Sequence, residues 1–181
     1  MSKLTIEEIH RRFSSSNDFN EIFDAFEAAL NNKIEDIELY RLLFWNDSLT
    51  PEELCLFGEK LVQVFPAIAF EVYMWLAKVF EVIYSMYDNC ELALQYYTKA
   101  ALINPESSEP YIAVSDCYDH DLKVPSIDMI IDFIIKGSQL VNNPSVLYKR
   151  LAELYEKIGN DEQSDFYRRK AEESGGTTPE E

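Results

Sequence analysis

The stretch Ala93-Leu94-Gln95-Tyr96-Tyr97-Thr98-Lys99-Ala100-Ala101-Leu102-Ile103-Asn104-Pro105 decides the fold. On a helix, Ala93, Tyr97 and Ala100 share one stripe at spacings of four and three. Two small side chains there let a neighbouring helix approach, and the tyrosine fills the space between them. Pro105 then stops the helix.

A small-large-small stripe is useful only where another helix lies against it, so the flanking sequence should supply one. The next helix should open with a large residue, an aliphatic, a small residue and an aromatic. Tyr111, Val114, Ser115 and Tyr118 supply them, and Tyr148, Leu151, Ala152 and Tyr155 supply them again, followed by a turn at Gly159 and the small residues Ser164 and Ala171. Working backwards, Tyr73, Leu76, Ala77 and Phe80 give a further copy, separated from Ala93 by about one extra helical turn. Over 35–66 the stripe is only loosely kept, by Leu54, Gly58 and Leu61.

These copies resemble the tetratricopeptide repeat, whose first helix reads W-x2-L-G-x2-Y and whose second reads A-x3-F with a closing proline. The likeness covers roughly 70–173 well and the first third weakly. It implies an all-α fold of antiparallel helical hairpins stacked as a right-handed superhelix, an α-solenoid, because no single hairpin can bury its own apolar face.

Composition agrees with that class. The chain has 181 residues, 47% hydrophobic and 13% aromatic, and only five glycines. Helix signals are frequent. Thr50-Pro51-Glu52-Glu53 reads as an N-cap, a first-turn proline and a capping box, and Thr5-Ile6-Glu7-Glu8 as a similar cap without the proline. Ser108-Glu109-Pro110, Pro125-Ser126, Asn143-Pro144 and Gly159-Asn160-Asp161 mark later boundaries. Ten helices are expected, near 5–14, 18–31, 34–46, 51–65, 68–86, 89–103, 108–120, 125–141, 144–158 and 161–173. Residues 1–33 read as a degenerate helical pair or cap, 34–173 as repeats of the same domain, and 174–181 as a disordered tail.

The net charge is −17. It is spread along the chain, with 13 acidic against 6 basic residues in 1–60, 8 against 2 in 61–120, and 12 against 8 in 121–181. Phosphate backbones and anionic membranes need clustered Lys and Arg, so neither nucleic acid nor membrane is expected as a partner. The apolar run from Leu61 to Tyr84 is broken by Gln63, Pro66, Glu71, Lys78 and Glu81, and reads as a core helix. Three cysteines at long spacing, Cys55, Cys90 and Cys117, together with an N-terminus lacking the apolar core of a secretory signal, point to a cytoplasmic protein.

The resemblance implies that first helices line a concave groove in which a protein segment lies. The positions that the motif leaves free are Glu71, Trp75, Lys78, Ile112, Asp116, Asp119, Lys149, Arg150, Glu153 and Glu156, with Met74 and Glu81 beside them. Members that clamp an acidic chaperone tail would use the positions of Met74, Lys78, Ala113, Val146 and Arg150. Arg150 alone has the character required, so a basic or amphipathic protein segment is the expected ligand.

The alternative is a self-assembling homodimer that uses the apolar helix near 68–86 or the N-terminal hairpins. No enzyme is expected: the chain has two histidines, His10 and His120, and no G-x-S-x-G, H-E-x-x-H or phosphate loop. Asp116 and His120, four apart, are the best local metal pair, but one pair with no second ligand source does not make a site. No cofactor, metal or catalytic residue is expected.

Overall fold

The fold is taken from a computed structural model, which describes residues 4–83, 87–118 and 125–175; of residues 87–89 it describes the backbone alone. Among the described residues there are ten α-helices and no strand. They are α1 (Ile6–Ser15), α2 (Phe19–Asn31), α3 (Ile37–Phe44), α4 (Pro51–Val64), α5 (Ala69–Val82), α6 (Tyr87–Ile103), α7 (Glu109–Asp116), α8 (Ile127–Ser138), α9 (Ser145–Lys157) and α10 (Asp161–Gly175). A single 3-10 turn, Pro66–Ile68, precedes α5. Each expected helix is present, and most ends fall within a few residues of the expected ones. The expected metal pair's His120 and residues 176–181 of the expected tail lie outside the described residues.

The helix ends follow from local chemistry. At α4, Thr50 Oγ1 accepts from the Glu53 amide at 3.3 Å while the Thr50 amide donates to Glu53 Oε2 at 2.8 Å. That reciprocal pair satisfies two amides that the first turn leaves without intrahelical partners. Thr5 caps α1 through the Glu8 amide, Asp18 caps α2 and Asp36 caps α3.

Two later helices start without a cap from the residue before them. Ser108 and Ser126 make no side-chain cap; before α7 it is Ser107 Oγ that accepts, from the Glu109 amide. At the end of α9, Gly159 adopts φ +73°. The Asn160 amide then reaches Tyr155 O and the Gly159 amide reaches Glu156 O, each at 2.9 Å. This double closure satisfies two of the carbonyls left open at the helix end. Asn160 Oδ1 next accepts from the Gln163 amide and starts α10. The same closure ends α2 around Lys33, a residue with a side chain at φ +54°.

The chain divides into two compact units, Met1–Tyr96 and Tyr97–Glu181. In the first, α1 packs on α2 and α3, α3 on α5, and α4 on α2 and α5. Its core is aromatic: Phe26 meets Phe57 edge-on at 4.7 Å between ring centroids, and Tyr40 lies against both Phe13 and Phe26. Burial pushes the Tyr40 hydroxyl pKa well above its ordinary value, and the hydroxyl donates to Ile34 O at 2.8 Å. One buried polar residue joins distant segments. Asn46 Nδ2 donates to Phe13 O at 2.9 Å and Ser16 O at 3.0 Å, pinning the end of α1 to the loop after α3.

In the second unit α7 packs on α8 and α9, α8 on α9, and α9 on α10. Contact of each helix with the next, and of α7 with the helix two places on, is the arrangement that stacked hairpins require. The stripe quoted from α6 is buried throughout, with Ala93 and Ala100 fully inaccessible and Tyr97 1% exposed. The repeat positions turn inward too. Leu76, Ala77, Phe80, Tyr111, Val114, Ser115, Leu151 and Ala152 are all buried, while Tyr118, Tyr148 and Tyr155 are half-buried.

Candidate functional site

Helix α5 is apolar over most of its circumference and buries Ala69, Val72, Tyr73, Leu76, Ala77, Val79 and Phe80. That burial fixes the rotation of the helix. Glu71, Trp75 and Lys78, at spacings of four and three, are left on the opposite stripe; Glu71 and Lys78 are exposed and Trp75 is half-buried. Lys78 Nζ pairs with Glu81 Oε2 at 3.2 Å. The Arg41 guanidinium of α3 lies 5.4 Å from the centre of a Trp75 ring and pairs with Glu38 at 2.7 Å.

Arg41 belongs to this surface and was absent from the sequence-based set. The available signal was its place on a preceding first helix, but the repeat pattern is too faint over 35–66 to assign facing positions there.

In the second unit α7 and α9 lie side by side, and the structure joins two expected residues across them. Arg150 Nη1 is 3.1 Å from Asp116 Oδ1 and Nη2 is 3.5 Å from Oδ2, so the guanidinium fork spans the carboxylate. Glu153 Oε2 lies 3.3 Å from the same guanidinium. These three side chains, with Ser115, Leu154 and Lys157, line a shallow cleft of about 90 Å³. Its charge is balanced, two carboxylates facing one guanidinium and one ammonium.

Among the described residues, no other expected residue lines that cleft. Ile112 is half-buried and Lys149 exposed, each on its own helix. Glu156 turns toward α10, where it pairs with Arg168, which also faces Asp165 at 3.6 Å. Asp119 lies outside the described residues.

Cys55, Cys90 and Cys117 are each half-buried. Burial raises the Cys90 thiol pKa, with the Glu81 and Glu91 carboxylates acting in the same direction. Among the described residues no three His, Cys, Asp or Glu side chains converge as a metal site would need. No described helix is long and apolar enough to cross a membrane.

No family model matches the chain, and no curated protein matches it. Among solved structures it is similar to the crystal structure of MamA protein, with a TM-score of 0.54 and 18% identity over 93% of each chain. At that identity the likeness is one of fold, and the fold it gives is an all-α stack of helical hairpins.

Proposed function

We propose that this chain is a non-enzymatic adaptor of the tetratricopeptide type, working in the cytoplasm and holding a basic or amphipathic protein segment on the solvent faces of its first helices. The observation that carries the reading is the Asp116–Arg150–Glu153 triad, where side chains from two neighbouring first helices meet at the surface. Arg150 there is an internal cation on two carboxylates. A lysine or arginine of a bound segment takes its place on Asp116 and Glu153, while Arg150 swings toward an acceptor on the ligand. The overall charge of −17 favours the approach of such a segment over an acidic one.

The test is the binding of a panel of peptides, basic, acidic and amphipathic, to wild type and to an Asp116→Asn/Glu153→Gln variant. Basic or amphipathic peptides should bind several-fold more weakly to the variant, and added salt should weaken the wild-type complex. Equal binding by both proteins contradicts the reading.

Self-association through the N-terminal hairpin is a second reading. It is favoured by Phe19 and Phe23 of α2, which stack at 5.9 Å and are each 37% exposed. A dimer that persists at low micromolar concentration and is lost on Phe23→Ser would support it.

A further inference from the structure

Lys170 of α10 is held in an unusual way for a chain so rich in carboxylates. Lys78, Arg150 and Arg168 all sit on Asp or Glu side chains. Lys170 makes no ion pair among the described residues; its Nζ lies 4.9 Å from the ring centre of Phe166, 5.3 Å from that of Tyr148 and 5.9 Å from that of Tyr167. The rings come from two helices, Tyr148 from α9 and the others from α10.

Tyr148 and Tyr167 are tilted by only 34°, while Phe166 stands at 80° to Tyr167. The ammonium thus lies within 6 Å of three ring centres, beside the Tyr148–Tyr167 pair and next to the upright Phe166. The site is open on one side, since Phe166 is 39% exposed, and it is anchored below by Tyr167, which is 9% exposed and stacked on Tyr155 at 5.5 Å.

A primary ammonium fits this site imperfectly. It carries three N–H donors, and ring faces satisfy its charge while giving its donors no strong acceptor. A quaternary ammonium carries the same charge with no N–H to satisfy, and methyl groups that pack on the rings. Lys170 reaches the site from three and four residues along the same helix, the spacing of neighbours on a helix face, so it can fill the cage when no ligand is present.

We propose that Tyr148, Phe166 and Tyr167 form a cage for a quaternary ammonium borne on a protein segment, a trimethylated lysine, and that Lys170 is its internal occupant, displaced on binding. The cage itself stands on its own geometry; only the source of the ligand rests on the adaptor reading.

The full chain carrying Lys170→Ala is titrated with tetramethylammonium and, in parallel, with tert-butanol as an uncharged counterpart, following the aromatic resonances by NMR. The expected result is that tetramethylammonium moves the Tyr148 and Phe166 signals and binds Lys170→Ala about fivefold more tightly than wild type, whereas tert-butanol leaves the signals in place. Adding Phe166→Ala should weaken binding roughly two- to fivefold, the scale of one ring at a partly exposed site. Phe166 is exposed enough for that variant to fold, which circular dichroism checks.

Equal responses to the two compounds, or none to either, overturn the cage. A peptide with one trimethyllysine should bind Lys170→Ala about fivefold more tightly than its unmethylated twin. If the twins bind alike while tetramethylammonium still binds, the protein-borne ligand is overturned. Asp116→Asn/Glu153→Gln leaves the cage intact, so failure of the adaptor reading is seen separately, in the basic peptides.

Discussion

Tyr111 of α7 lies directly over Gly137 of α8, so close that a methyl group placed on Gly137 would come within 2.4 Å of a ring carbon. Leu76 of α5 stands over Gly58 of α4 in the same manner. Both are fully packed contacts in which a first-helix side chain fills the space left by a glycine of a second helix. Gly137→Ala should therefore destabilise the protein by about 1–3 kcal/mol, the cost of overpacking a tight core. Urea unfolding checks this. Combining it with Tyr111→Leu should remove much of the penalty, since the two sites share one contact.

Lys33 holds a left-handed backbone at the end of α2, where a side chain costs about 1–2 kcal/mol that glycine does not incur. Lys33→Gly should raise stability by about 0.5–1 kcal/mol, the strain relieved being partly offset by the freedom glycine gains in the unfolded chain. Gly159→Ala, at φ +73°, should act in the opposite direction. Thermal melts of both variants decide it.

Ser164 of α10 is 2% exposed, and its Oγ has no hydrogen-bond partner among the described residues. A buried hydroxyl left unpaired costs about 1–3 kcal/mol relative to an apolar group of similar size. Ser164→Ala should then stabilise the protein by about 1 kcal/mol. A destabilised variant would mean that the hydroxyl has a partner in solution.

Glu8 supplies a pH prediction. Side-chain hydrogen bonds from Arg11 first and Arg12 second lower its pKa from 4.5 to about 2. A carboxyl whose folded pKa lies below its unfolded value adds stability that is fully present above the unfolded value, and loses it as the pH falls through the folded one. The contribution should thus fade between about pH 4.5 and 2. Carboxyl-carbon NMR should show Glu8 titrating near 2, and Arg11→Gln, which removes the larger hydrogen-bond contribution, should raise it toward 4.5.

The legible part of the fold was the part written in spacing. Ala93, Tyr97 and Ala100 are buried as their periodicity requires, and Thr50 with Glu53 forms the capping box that their separation suggests. Gly137 was not legible in that way. An isolated glycine in an apolar helix shows no sign of the ring resting on it, because that ring comes from Tyr111, 26 residues earlier.

At the candidate site, the outward stripe Glu71–Trp75–Lys78 followed from which residues had to be inside. The pairing of Arg150 with Asp116 did not, since 34 residues separate them and only the packing of α7 on α9 brings them together. The residues expected to face the groove carry more carboxylates than cations; the cleft around Arg150 holds two carboxylates beside one guanidinium and one ammonium, a local grouping that net charge does not specify.

Hydrogen-exchange mass spectrometry on the full chain, with and without a saturating basic amphipathic peptide, tests the adaptor reading most directly. Binding should slow exchange in α7 and α9, around Asp116 and Arg150, and leave α2 and its exposed Phe19 and Phe23 unchanged. Protection confined to α2 and α4, or no protection under conditions in which the peptide is bound, would contradict the account.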